Sequence, residues 1–410
     1  MDLKTPATRF IPFRKRDIVQ MCLDDGQLDS HQQHDFQNCS SLIQALFHFE
    51  FHQRAERLKD SFSTLNPDRD TRAIKAESSQ CDRFVKELEQ LLDKANFEQV
   101  SEADLALALS EDSLFKIKLH VDFDEFAEVL LYCRGESVRT ETLPTMFGLK
   151  QRDVQFVNYD RVVIYIRFRD DLDPKLAAAR DIKPGSVILK LFKNVPKADL
   201  EMLFPNTAVR MRLIDKLMIG VPALVSGGIV ISTKLGATLV LLGSLLGFWL
   251  GLHSNPVELD KAALVALFAG FGAVGSYLWK QFNNFKNRKL RFVQSLTQNL
   301  YFKNLDNNAG VFHRLIDDAE EEECKEAILA YYFLLTHDAP LNASELDRAI
   351  ERWFAGQHNC VLDFEIDDAI DKLKRLQLVS ETPDDRMIAT PLPDALVSLD
   401  QHWDQLFRFA

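Results

Sequence analysis

The sequence predicts an α+β fold with three parts: N-terminal helices plus an antiparallel sheet, a transmembrane helical hairpin, and a C-terminal winged-helix-like domain. Three observations lead there. Segments between residues 115 and 168 alternate apolar and polar side chains; residues 217–279 are almost without charge; residues 312–407 read as three helices, a hairpin and a last helix. The expected boundaries are an α+β domain over 1–205, a juxtamembrane segment and hairpin over 206–285, and an acidic domain over 286–410.

In the first part, Phe84, Leu88, Leu91, Leu92 and Ala95 recur at helical spacing within 79–100, so one face of that helix meets a core. A second helix is expected over 41–58, rich in phenylalanine, and Ser101-Glu102-Ala103-Asp104 reads as the capping box of a short third one. From Phe115 to Phe123 and from Val162 to Arg169 the period becomes two, which puts one face of a strand on a core and the other in water. Segments 126–133 and 186–192 are further strands. Turns rather than long helices join them, so the sheet is expected to be antiparallel with helices on one face.

The middle part carries a single charge, Lys234, between Leu217 and Leu252, and none between Ala262 and Trp279. About 20 apolar residues cross a bilayer, so spans are expected near 235–252 and 262–279, with 217–233 interfacial or an extra span. The connector is acidic, and basic residues flank both outer ends, which places both termini on the cytosolic side. The residues expected at the membrane surface are Lys190, Lys193, Lys197, Arg210, Arg212, Lys216, Lys286, Arg288, Lys289 and Arg291, where they would attract anionic lipid. Gly243, Gly247 and Gly251 line one helix face at four-residue spacing, and Gly270 continues a small face on the next helix, as in close transmembrane packing. Gly270 to Gly275 spells G-x-G-x-x-G, but no strand precedes it, so no dinucleotide site is expected.

Charge divides unevenly. The chain has a net charge of −12, and residues 301–410 hold 10 basic and 23 acidic side chains, so the acidity belongs to the last part. There the helices are expected over 312–335, 344–355 and 365–376, with a hairpin at 378–389 and a helix over 393–407. The third helix opens on Asp363, Glu365, Asp367 and Asp368, which phosphates would repel, so nucleic acid is not an expected partner. Asp317, Asp318, Glu321, Glu322 and Glu323 are expected to form a solvated acidic face that contacts a protein or the basic stretch 286–291.

Sites of chemistry are scarce. His48 and His52 lie four apart without the H-E-x-x-H order, and the six cysteines make no C-x-x-C pair, so no metal, cofactor or disulfide is expected. No nucleophile elbow or phosphate loop is present. Met1 to Arg16 lacks the apolar region of a signal peptide and makes an unconvincing transit peptide, which favours a bacterial cytoplasmic membrane over a mitochondrial or plastid one.

Several blocks resemble the family called domain of unknown function 3754. They are Arg9-Phe10-Ile11-Pro12-Phe13-Arg14-Lys15, the run Leu191 to Pro205 containing Asn194-Val195-Pro196-Lys197-Ala198-Asp199-Leu200, Leu305 to Gly310 with the acidic run, and Asp363 to Ala369. The family includes transmembrane protein 143. The resemblance implies a membrane protein without an established activity and supplies no catalytic residue. The expected role is a membrane-anchored, non-enzymatic scaffold or adaptor, its partners the bilayer, a protein at the C-terminal domain and a second copy of the chain. Alternatives are an enzyme acting on a membrane lipid and an oligomeric channel or transporter component.

Overall fold

A computed structural model describes residues 7–72, 81–101, 105, 118–145, 150–180, 182–210, 236–251 and 261–407. The chain divides into two compact units. The first joins Met1–Glu111, Asp122–Leu200 and Lys303–Ala410; the second joins Asp112–Val121 and Glu201–Phe302. The N-terminal helices, the sheet and the C-terminal helices therefore share one unit, where the sequence suggested separate domains.

In the first unit residues 7–14 form a strap without helix or sheet structure beyond one bridge, followed by α1 (Lys15–Asp24), α2 (Ser30–Phe62) and α3 (Cys81–Lys94). Asp29 starts α2 by accepting from the backbone of His31 and Gln32, while the Gln32 side chain reaches back, a reciprocal cap that satisfies otherwise orphaned amides. In α3 the residues Phe84, Val85, Leu88, Leu91 and Leu92 are buried, so its apolar stripe faces inward as its spacing requires.

Five antiparallel strands follow: β1 (Glu98–Gln99), β3 (Phe126–Thr145), β4 (Lys150–Phe168), β5 (Val187–Pro196) and β7 (Asn304–Asn307), in that order across the sheet. The short helix α4 (Pro174–Arg180) lies between β4 and β5. The long β3–β4 ribbon pairs Leu131 with Ile164 and Cys133 with Val162. Gly135 has φ +73°, and a Cβ there would lie 2.8 Å from the Asp160 carboxylate, so a side chain is excluded twice over.

Helix α7 (Ala309–Thr336) leads into α8 (Ala343–Gln357), α9 (Ile366–Arg375), the hairpin β8 (Val379–Glu381) with β9 (Met387–Ala389), and α10 (Leu392–Asp404). Leu341 bridges Met387, setting a third short segment beside that hairpin. Asn342 and Glu345 form the cap of α8. One apolar core joins all of these elements: Phe62 meets Phe84 at 4.7 Å between ring centres, and Phe84 meets Phe312 and Tyr165 at 6.3 Å and 6.1 Å. Each such ring adds about 1.5–3 kcal/mol by leaving water, and these four come from α2, α3, α7 and β4.

The second unit holds the β2 (Lys118–His120) and β6 (Ala208–Arg210) pair, with α5 (Gly236–Trp249) and α6 (Lys261–Lys303). Here the structure corrects the expectation of a transmembrane hairpin, and with it the assignment to an integral membrane protein. Among the described residues no helix is long and apolar enough to cross a membrane. Helix α5 has 14 residues, which at 1.5 Å per residue reach about 21 Å, short of the roughly 30 Å hydrocarbon core. Gly251, with φ +74°, closes it. Helix α6 is 43 residues long, but from Lys280 onward it carries six basic side chains, so its length is not apolar length. The expected piece over 217–233 lies outside the described residues, as does the expected capping box after Ser101.

Candidate functional site

The densest gathering of charged groups lies inside the first unit, around the middle of α7. Glu320, Glu322, Glu323 and Glu326 are all buried, as is Lys325 between them. The expected solvated acidic face is thus overturned for Glu322 and Glu323, 1% and 3% exposed. The sequence on both sides explains this. Val311, Phe312, Leu315 and Ala319 flank the run on one side and Ala327 to Tyr332 on the other, all buried, so from Ala319 to Tyr332 α7 runs through the core, while His313, Arg314 and Asp317 stay exposed.

Each carboxylate has a cation or an amide waiting. Lys372 of α9 places its ammonium 3.2 Å from Glu323 and 2.8 Å from Asp368, and donates to Glu326 as well. Lys94 at the end of α3 donates to Glu323 at 2.7 Å. Asn96, held at φ +55°, offers its amide to Glu326 at 2.9 Å and Glu322 at 3.2 Å. On β3, Arg134 donates to Asp318 at 3.0 Å and to the Ala95 carbonyl at 3.1 Å.

The same groups fasten the N-terminal strap. The Ile11 amide donates to Glu322 at 3.1 Å, and Lys325, paired with Glu322, donates to the Ile11 and Phe13 carbonyls at 2.7 Å and 3.1 Å. Asn96 also reaches the Arg9 carbonyl at 3.0 Å. Lys15 uses its amide on Glu321 at 2.9 Å and its ammonium on Glu320 at 2.8 Å. His48 of α2 takes the other Glu320 oxygen at 2.9 Å. The Phe10 ring lies under the Arg134 guanidinium, 4.3 Å away, and the Phe13 ring stacks on Phe354 at 5.8 Å. Arg9 pairs with Glu365. A segment outside helix and sheet has backbone donors and acceptors that burial would orphan; here buried side chains satisfy them.

Burial pushes the Glu326 carboxyl up to about 7, against the pull of Lys372. Burial likewise raises Glu322, with Lys325 opposing. For Lys372 burial disfavours the charge, yet Glu326, Glu323 and Asp368 outweigh it and its pKa rises. Asp368 is lowered because Lys372 outweighs its burial.

Oxygens of Glu323, Glu326 and Asp368 come within 4.8 Å of one another, the one group of three potential metal ligands among the described residues. The Lys372 ammonium is bonded to all three. A divalent ion would have to displace an internal cation from its salt bridges, so the donor set fits a neutralised latch better than a metal centre. The buried thiols are unreactive by the same physics: burial raises Cys22, Cys39 and Cys324, Cys39 to about 12.

The other sequence-predicted residues fall elsewhere. Lys190 and Lys193 are half-buried on β5, and Lys197 opens the short 3₁₀ turn that follows it. Arg210 ends β6; Arg212 and Lys216 lie outside the described residues. Lys286, Arg288, Lys289 and Arg291 sit on α6. A Cβ at Gly243 or Gly251 would meet nothing within 4 Å, so among the described residues no close helix packing uses either. Gly247 lies in α5 and Gly270 in α6, whose helical turns absorb the G-x-G-x-x-G spelling. The residues that sequence reasoning missed are Lys15, Lys94, Asn96, Arg134, Lys325 and Lys372. One local signal was available: Glu322–Lys325 and Asp368–Lys372 are spaced three and four apart, as helical ion pairs are.

Residues 159–310 match a family model described as Protein of unknown function (DUF3754). The match supports the resemblance read from the sequence and fits a biochemical activity not yet defined; the membrane character that the resemblance implied is corrected above. It runs from β4 through α5 and α6 to the first turn of α7, ending ten residues before Glu320. No solved structure matches the chain.

Proposed function

We propose that this chain is a protein-interaction scaffold that assembles with a second copy of itself through α5 and α6. The observation that carries this reading is the apolar surface of those helices. Trp249 is 85% exposed, and Val240, Leu246, Phe248, Leu250, Val265, Phe268 and Trp279 are exposed with it. Folded proteins rarely leave contiguous apolar patches of this kind in water, and large ones mark interaction surfaces. Between Gly236 and Trp249 there is no charge to specify a charged partner, and the chain itself supplies a matching uncharged helix. In a self-complementary interface each copy covers the other's patch.

Sedimentation velocity of the full chain in detergent-free buffer tests this. The wild type is expected to form a discrete oligomer, and Trp249→Asp and Phe268→Asp are expected to shift it toward monomer with an unchanged unfolding transition. A wild type that stays monomeric at micromolar concentration, or that sediments with phospholipid vesicles instead of with itself, would overturn the reading.

A further inference from the structure

Arg54 and Arg57 stand one turn apart on α2 beside α3. Among the described residues neither guanidinium has a carboxylate within ion-pair distance or an acceptor for its N–H groups. Their neighbours are otherwise arranged: Arg83 pairs with Glu87 at 3.0 Å, and Arg375 pairs with Glu50. Arg54 rests over the Phe51 ring, 5.7 Å from its centre, and is half-buried, while Arg57 is exposed.

The two arginines and Gln90 line a cavity of about 170 Å³ whose apolar wall is Leu58 and Leu91. Its carboxylate, Glu87, is already engaged by Arg83 and by the Ser61 hydroxyl at 3.0 Å. Arg54 also borders a second cavity of about 290 Å³, where Glu50, Glu323 and Asp368 are each held by a cation and the exposed Asp371 completes the rim. Burial lowers the Arg54 pKa; Arg57 and Arg375 work in the same direction, and the carboxylates of Glu323 and Glu50 oppose them. A guanidinium always stays charged in practice, and the nearby carboxylates Glu87, Glu323 and Glu50 are each paired with another cation, so two like charges with open N–H donors border this small void.

We propose that the cavity between α2 and α3 seats a small doubly charged oxyanion, inorganic phosphate or a phosphate monoester, held by Arg54, Arg57 and the Gln90 amide. Guanidinium forks match the oxygens of such a group in pairs, and a dianion neutralises both arginines where a single carboxylate neutralises one. The void has room for phosphate and a short substituent. Nothing in this proposal depends on self-assembly through α5 and α6.

Calorimetric titration of the full chain with inorganic phosphate tests it. Ionic strength is held constant with chloride at about pH 7.5, where most phosphate carries two charges; phosphoserine and acetate serve as parallel arms. Binding of phosphate or phosphoserine at one site per chain is expected, with acetate weaker. Arg54→Gln and Arg57→Gln are each expected to weaken it at least about tenfold, and Arg54→Lys, which keeps charge but loses the fork, by less. Arg352→Gln, at an exposed arginine on α8, is expected to change nothing. Unfolding midpoints without phosphate show whether each variant folds, and the exposed Arg57 keeps the test alive if Arg54→Gln does not. Binding of neither phosphate nor phosphoserine, binding unchanged in both glutamine variants, or an equal loss in Arg352→Gln would overturn the proposal.

Discussion

Helices α6 and α7 follow one another with only β7 between them, and they treat solvent in opposite ways. Helix α6 turns Val265, Phe268, Trp279 and Phe282 outward, whereas α7 buries four glutamates and a lysine among Leu315, Ala319, Ile328 and Leu329. The contrast teaches where partners come from. A buried charge is tolerable only beside an opposite charge or a hydrogen-bond donor, and the first unit supplies both from its own chain. An exposed apolar face needs a partner as much, and the second unit does not supply one among its described residues.

The largest expected effect breaks the inner half of this contrast. Lys372→Met leaves Glu323, Glu326 and Asp368 crowded without their shared cation. Removing one partner from a buried pair typically costs about 3–5 kcal/mol, so urea unfolding near neutral pH should show a loss of that order. The loss should shrink on acidification. Glu326 has a folded pKa of about 7 against 4.5 for its ordinary value, so the folded protein binds a proton more tightly than the unfolded one. The stability tied to that proton is present below the ordinary value and is lost as pH rises through the folded pKa. Glu326→Gln, which keeps the shape and removes the proton, should flatten this part of the pH profile between about pH 5 and 8.

A smaller expected effect concerns the strap. Glu322→Gln weakens the grip on the Ile11 amide and on Lys325. A lost hydrogen bond to a charged group is worth about 1.5–3 kcal/mol, and the N-terminal residues before α1 should become open to limited proteolysis while the helices stay protected. Smaller still is Asn342→Ala, which removes the cap of α8. About 1 kcal/mol is expected from thermal unfolding, with no change in proteolysis of the strap.

Much of the fold was legible in sequence. The apolar stripe of α3, the alternation in β4, the strand at β5, and the order α7, α8, α9, hairpin, α10 each follow from local sequence, which needs only neighbouring residues. The charged layer was not legible, because its partners are remote. Ile11 meets Glu322, Asn96 meets Glu326 and Lys372 meets Glu326 across intervals of 311, 230 and 46 residues. Seven acidic residues within ten positions look like a wet surface until the lysines that neutralise them are placed. The strap failed to register for the same reason: Arg9 to Lys15 has no periodicity, and what orders it is a set of side chains on other elements. For α5 and α6, hydropathy was read correctly but converted to a span without regard to where the helices end.

The central claim is that the carboxylates of α7 form an internally neutralised latch rather than a vacant cation site. A double-mutant cycle of Lys372→Met and Glu326→Leu, read by urea unfolding with and without added magnesium or manganese, tests it most directly. The account predicts that the double variant recovers a large part of the stability lost by Lys372→Met, because an apolar pair replaces an ion pair, and that neither metal shifts the wild-type transition. Losses that simply add, or a wild type that either metal stabilises and Glu326→Leu does not, would contradict it.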